Sequence, residues 1–128
     1  MTSWSSQELD NIAGADELEL TALRPDGTTR RPVTIWAVRV GEDLYVRSWR
    51  GASGGWYRAV QARPEGHISA GGVERDVEFL TAEGEIEDAV DKAYRTKYGR
   101  YPDYVEPMVS ADARATTLRF LPHAEALG

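Results

Sequence analysis

Cysteine is absent from this chain, which removes a disulfide frame, a thiolate nucleophile and any Cys-based zinc site together. A reducing, cytoplasmic setting fits that absence. Histidine is nearly absent too. His67 and His123 stand alone, with no H-x-H or H-E-x-x-H spacing, so no metal centre is expected. The acids between Glu83 and Asp91 lack the oxygen-rich loop with a central Gly that calcium requires, and read as a solvated helix face. The chain has no long apolar run, so no segment is expected to cross a membrane. Met1-Thr2-Ser3-Trp4-Ser5-Ser6-Gln7-Glu8 has neither a basic n-region nor an apolar h-region, and does not read as a signal peptide. Excess positive charge is also missing: the net charge of −6 argues against nucleic acid as a partner, because phosphate backbones attract a basic surface.

What is present is ordinary in bulk and uneven in layout. A chain of 128 residues is in the usual range of one domain with one core, and 41% hydrophobic residues supply it. The first 29 residues carry six acids and one base, whereas residues 30–63 carry seven Arg against Glu42 and Asp43. Residues 64–128 are acidic again. One basic stretch inside an acidic protein marks either an anionic ligand or a set of outward strand residues paired with acids of neighbouring strands.

Periodicity supplies the elements. Ser5-Ser6-Gln7-Glu8 is a capping box, predicting a short helix from Ser6 to Ala13 that Gly14 ends. Glu17 to Leu23 alternates polar and apolar residues as a half-buried strand does, and Pro25-Asp26-Gly27 is a turn. Arg31 to Val40 and Leu44 to Trp49 read as the next two strands of an antiparallel meander. A small-residue loop, Arg50-Gly51-Ala52-Ser53-Gly54-Gly55, leads into a short helix, Trp56 to Ala62. His67–Ala70 and Val73–Ala82 form a hairpin about Gly71-Gly72. A longer helix follows the acids at 83–88, which suit its positive end, and closes at Gly99. After Pro102 the chain is irregular or briefly helical, and Thr116 to Leu121 is a closing strand. The expected fold class is therefore α+β, mainly an antiparallel six-stranded barrel, closed or partly closed, with a short N-terminal helix, a short helix after strand 3 and one longer C-terminal helix.

The unit from Tyr45 to Ala62 carries the most chemistry. A helix N-terminus offers free N–H groups and partial positive charge. Gly51, Gly54 and Gly55 allow close backbone approach, Ser53 offers a hydroxyl, and Arg47 and Arg50 can pair with phosphate oxygens. The bland alternative is that Gly and Ser simply make a flexible turn. Gly51-Ala52-Ser53-Gly54-Gly55 also matches the G-x-S-x-G elbow of serine hydrolases, with His123 and Asp103 or Asp112 in the right chain order. That fold needs a large parallel sheet, for which this chain is too short and too antiparallel. Trp36, Trp49, Trp56 and Tyr57 gather round the basic stretch, where aromatics either stack on a planar ring or fill the barrel. Tyr94 and Tyr98, one helical turn apart, read as packing.

Arg30-Arg31-Pro32-Val33-Thr34-Ile35-Trp36, Tyr45-Val46-Arg47-Ser48-Trp49, Gly54-Gly55-Trp56-Tyr57-Arg58-Ala59-Val60 and Ala62-Arg63-Pro64 together resemble the split β-barrel oxidoreductases that use FMN or a deazaflavin, the pyridoxamine-phosphate-oxidase-like proteins. Ala93-Tyr94-Arg95-Thr96-Lys97-Tyr98-Gly99 and Thr117-Leu118-Arg119-Phe120-Leu121-Pro122 are similar, more narrowly, to a bacterial family named domain of unknown function 2255. The resemblance implies a six-stranded split barrel, a homodimer, and a flavin or deazaflavin in a groove near the subunit interface. By position it assigns the cofactor phosphate to Ser48, Trp49, Arg50, Gly51, Ser53, Gly54 and Trp56, with Arg30 and Arg31 as further basic contacts. The loop has no Lys, a departure from the pattern. Catalytic residues are not assigned, and the alternative is a cofactor-free module that binds a small ligand in the same groove.

Overall fold

The computed structural model describes residues 4–123. The capping box forms as its residues dictate: Ser5 Oγ accepts from the Glu8 N–H at 3.1 Å, and Glu8 Oε1 accepts from the Ser5 N–H at 2.9 Å. It starts α1 (Ser6–Gly14), whose Leu9 and Ile12 are buried. Burial opposes the Glu8 charge, yet the Ser5 N–H and the Arg75 guanidinium at 2.6 Å hold its carboxyl below the usual value.

The chain continues through β1 (Leu18–Ala22), β2 (Val33–Ile35), β3 (Ala37–Val40), β4 (Asp43–Val46), a 3-10 turn at Gly51–Ser53 and α2 (Gly55–Ala62). Then come β5 (Glu65–Ala70), β6 (Val73–Thr81), α3 (Ile86–Lys97), α4 (Pro102–Met108), α5 (Ala111–Arg114) and β7 (Leu118–Pro122). All seven strands join one antiparallel sheet in the order β2-β1-β5-β6-β7-β4-β3. The two end strands, β2 and β3, are separated in sequence by Trp36 alone. The sheet is thus curled round on itself and joined through that residue, which makes a split barrel and leaves few open edges.

Six strands are expected from the sequence and seven are found. The difference is the run Arg31–Val40, which reads as one strand but bends at Trp36, its first part pairing with β1 and its second with β4. Trp36 is pinned at the bend. Its ring stacks on Tyr98 with centroids 3.9 Å apart, and its carbonyl accepts from the Tyr94 hydroxyl at 2.8 Å. One further correction concerns length: strand β4 stops at Val46 rather than Trp49. After Pro102, read as irregular or briefly helical, the chain forms two short helices.

Inside the barrel, Leu18, Leu20, Leu44, Val46, Ile68, Val77, Phe79, Leu118 and Phe120 pack with Leu9 and Ile12 of α1 and with Val60 of α2. Alternation along β1, β5 and β7 places these side chains on one face. A second layer forms outside β3 and β4, where Val38 and Tyr45 meet Val90, Tyr94 and Tyr98 of α3 and Val105 and Met108 of α4. These two strands are therefore buried on both faces. Among the described residues no helix is long and apolar enough to cross a membrane.

The β5–β6 hairpin carries a pH-dependent contact. His67 Nδ1 lies 2.9 Å from Asp76 Oδ1, and Nε2 lies 3.5 Å from Glu74 Oε1. The hydrogen bond to Asp76 is the main cause raising the imidazole above its ordinary 6.5, against a smaller opposing effect of burial. A raised folded pKa adds stability that is fully present below the unfolded value and fades as pH climbs through the folded one. The pair is well exposed, so the effect stays under about 1 kcal/mol. The advantage of wild type over His67→Gln in urea unfolding is expected to be present at about pH 5.5 and absent at about pH 9. An advantage that grows with pH contradicts this assignment.

Candidate ligand-binding cleft

At the split in the barrel lies a cleft of about 550 Å³. One wall is strand β2 with its approach, from Arg30 through Val33, Thr34 and Ile35 to Trp36. The facing wall is the segment after β4, namely Ser48, Trp49 and Arg50, followed by Gly54, Gly55 and Trp56 at the start of α2. Tyr104 and Met108 of α4 complete it. Aromatic surface dominates: Trp49 is 53% exposed and Tyr104 59%, so both stand at the rim, while Trp36 sits deeper on its Tyr98 stack.

Among the described residues no Asp or Glu lines this cleft, although the protein carries −6 overall. Arg30 and Arg50 bring the positive charge. The start of α2 adds more, because Gly54 stands at the N-cap and no side chain caps the helix. Helical N–H groups left without a side-chain acceptor attract an anion. Beside them is Ser48, 1% exposed, whose Oγ has no hydrogen-bond partner. A buried hydroxyl without a partner costs free energy, so this side chain holds an unused donor at the wall of the cleft. Gly54 packs directly against it, leaving no room for a Cβ.

Of the residues the sequence assigns to a ligand, the structure brings Arg30, Ser48, Trp49, Arg50, Gly54 and Trp56 together at the cleft. It places four differently. Arg31 is exposed outside the cleft. Gly51 turns the chain at φ +65° and packs on Asp112 of α5, where a Cβ would sit 3.2 Å from the Asp112 Cβ. Ser53 spends its hydroxyl on the Arg50 carbonyl at 2.9 Å, closing the 3-10 turn, so the G-x-S-x-G match is a tight turn rather than a nucleophile elbow.

Arg47 corrects the sequence reading most. Its backbone reaches the cleft, but its guanidinium points into the protein and is not available to a phosphate. Nε donates to Thr117 Oγ1 at 2.9 Å, Nη2 to the Glu87 carbonyl at 3.0 Å, and Nη1 to the Met108 carbonyl at 3.0 Å and to Asp91 Oδ1. Asp91 in turn accepts from Arg114 at 2.6 Å. This buried network ties the end of β4 to α3, α4 and α5. The adjacent Ser48 N–H donates to Thr116 Oγ1 at 2.9 Å, fixing the first residue of the cleft segment.

Tyr104 and Met108 are the cleft residues that sequence reading missed. The signal was Pro102 at a helix start, with Tyr101 and Tyr104 three apart. Tyr94 and Tyr98 are packing residues, as their spacing implies: burial raises both phenols, keeping them protonated donors to the carbonyls of Trp36 and Asp16. His67 and His123 lie on a separate groove near Glu65 and Asp76. No group of His, Asp and Glu among the described residues could hold a metal ion.

A model of the family described as "Uncharacterized protein conserved in bacteria (DUF2255)" matches residues 8–120. No curated protein matches the chain. Among solved structures it is similar to an F420-H2 dependent reductase, FDR-A, with a TM-score of 0.62 and 18% identity over 83% of this chain and 93% of that one. It is similar also to HutZ, a haem storage protein from Vibrio cholerae, with a TM-score of 0.61 and 11% identity over 91% and 87%. A putative pyridoxamine 5'-phosphate oxidase from Listeria innocua gives a TM-score of 0.60 and 13% identity over 94% and 92%. Likeness at such identities establishes the split-barrel fold.

Proposed function

The chain belongs to the DUF2255 family, and from the chemistry of its cleft we propose that it is an oxidoreductase-type protein binding a planar, anionic cofactor of the flavin or deazaflavin class. The single observation that carries this reading is a cleft that no acid among the described residues lines, set in an acidic protein and walled by aromatics. Such a site selects negative charge and a flat apolar ring together. Reductases and oxidases among the similar split barrels support the choice of class. Haem, the cargo of the HutZ neighbour, suits this cleft less well, because neither described His lines it.

In this reading Arg50 and the N–H groups at the start of α2 hold the phosphate, and the Ser48 hydroxyl turns to donate to it. Val33 to Trp36 border the ring, Arg30 meets a second anionic or carbonyl edge, and Trp49 shields the open side. The bound ring supplies the redox chemistry. The half-exposed Trp49 and Tyr104 suit a second copy of the chain closing the rim, as in a homodimer.

The test is a titration of the purified protein with FMN and with a deazaflavin coenzyme, followed by fluorescence or calorimetry. Saturable binding is expected, weakened roughly tenfold by Arg50→Ala, the loss of about 1.5 kcal/mol for a charge-assisted hydrogen bond at a half-open site. Binding of neither compound overturns the cofactor reading and leaves a cofactor-free module. Binding that Arg50→Ala leaves unchanged overturns the role of the loop.

A further inference from the structure

A second groove, of about 410 Å³, shares no lining residue with the cleft. Its floor is small and apolar, made by Ala89 and Ala93 of α3, Val38 and Val40 of β3 and Ala13 of α1. Among the described residues its charged lining is Arg39, Lys92 and Lys97, with no acid. Arg39 is paired with Asp10 at 2.8 Å, whereas among the described residues no carboxylate forms an ion pair with Lys97. The Lys97 Nζ is half-buried, donates to the Ala37 carbonyl at 2.7 Å and lies 5.1 Å from the Tyr98 ring. Burial lowers this amine from 10.5 to about 8, against partial support of its charge by Asp16. About a tenth of it is then neutral at pH 7, against well under about a thousandth for an ordinary lysine.

We propose that Lys97 is a modification site, a nucleophilic amine that condenses with small anionic aldehydes held in the groove between α3, β3 and α1. The geometry supplies each requirement: an apolar floor, an amine with no carboxylate in hydrogen-bond contact among the described residues, and cations at Lys92 and at Arg39, the latter shared with Asp10, to draw an anion in. The amine lone pair attacks the carbonyl carbon to form a carbinolamine. Loss of water then gives the imine: the C=O bond breaks, a C=N bond forms, and the oxygen leaves with both amine hydrogens. No oxidant or reductant enters this step.

The chain has only two lysines, so wild type carries its own control: Lys92 lines the same groove but is exposed. The protein is incubated with glyoxylate at neutral pH, the imine is trapped with cyanoborohydride, and carboxymethylated lysines are mapped by peptide mass spectrometry. Lys97 is expected to be labelled at least about tenfold more than Lys92 at early times. The double variant Arg39→Gln/Lys92→Gln is expected to slow glyoxylate labelling at Lys97 about fivefold and to leave labelling by neutral acetaldehyde unchanged. Equal labelling of the two lysines overturns the reactive amine. Equal slowing of both aldehydes overturns the selection for anions.

Discussion

Asp91→Ala is expected to destabilise the protein by about 3–5 kcal/mol, the cost of leaving a buried charge without its partner. The Arg47 side chain is wholly enclosed and that of Asp91 nearly so, at 10% exposure. Removal of Asp91 therefore strands the enclosed guanidinium in the interior without its counter-charge. Arg114 loses an acceptor as well, but it is partly exposed and keeps Asp88 at 3.2 Å. The loss should appear as a lower urea midpoint with an unchanged slope. The double variant Arg47→Met/Asp91→Leu is expected to recover part of it, since replacing a buried pair with apolar groups removes both desolvation costs. Recovery stays incomplete because the Glu87 and Met108 carbonyls and Thr117 Oγ1 lose their donor. An Asp91→Ala protein within about 1 kcal/mol of wild type would sink the claim that this network holds the end of β4.

The same network explains why the sequence could be followed only part of the way. Arg47 stands in a basic stretch three residues before Arg50, and nothing nearby distinguishes the two. The acid that draws Arg47 inward is 44 positions away on α3. In the sequence Asp91 belonged to a run of helix acids that reads as solvated, whereas in the fold it faces inward one turn before Tyr94. Local signals fared better wherever the partner was local. The capping box at Ser5, the Gly71-Gly72 hairpin turn and the alternation of β1 all formed where they were read. The bend at Trp36 was invisible for the opposite reason: its causes are the Tyr98 ring and the Tyr94 hydroxyl, both reached only after the chain has returned through α3. Arg30, Arg50, Gly54 and Trp56 were legible as site residues because strand, loop and helix start are adjacent in sequence. Tyr104 and Met108 were not, because α4 joins the cleft from far along the chain.

Gly54→Ala is expected to cost about 2–3 kcal/mol, and Ser48→Ala in the same chain is expected to return most of it. At Gly54 the backbone is extended, with φ −61° and ψ 136°, so the conformation itself accepts any residue. The penalty is contact: an added Cβ runs into Ser48 Oγ, while the Ser48 Cβ lies at an ordinary 3.6 Å. Deleting that one oxygen therefore makes room. Ser48→Ala alone should be neutral or up to about 1 kcal/mol stabilising, because the hydroxyl it removes is buried without a partner. A side chain that weakens the free protein is retained at little cost if a ligand supplies the missing partner. Ser48→Ala should accordingly weaken FMN or deazaflavin binding by about 1 kcal/mol, near fivefold, while leaving the unfolding midpoint unchanged or raised. Urea unfolding of the four proteins in the cycle, with and without ligand, separates the two effects. A Ser48→Ala protein that loses stability as Gly54→Ala does would mean that the hydroxyl is already satisfied in the free protein, and the argument for its role toward a phosphate would fall with it.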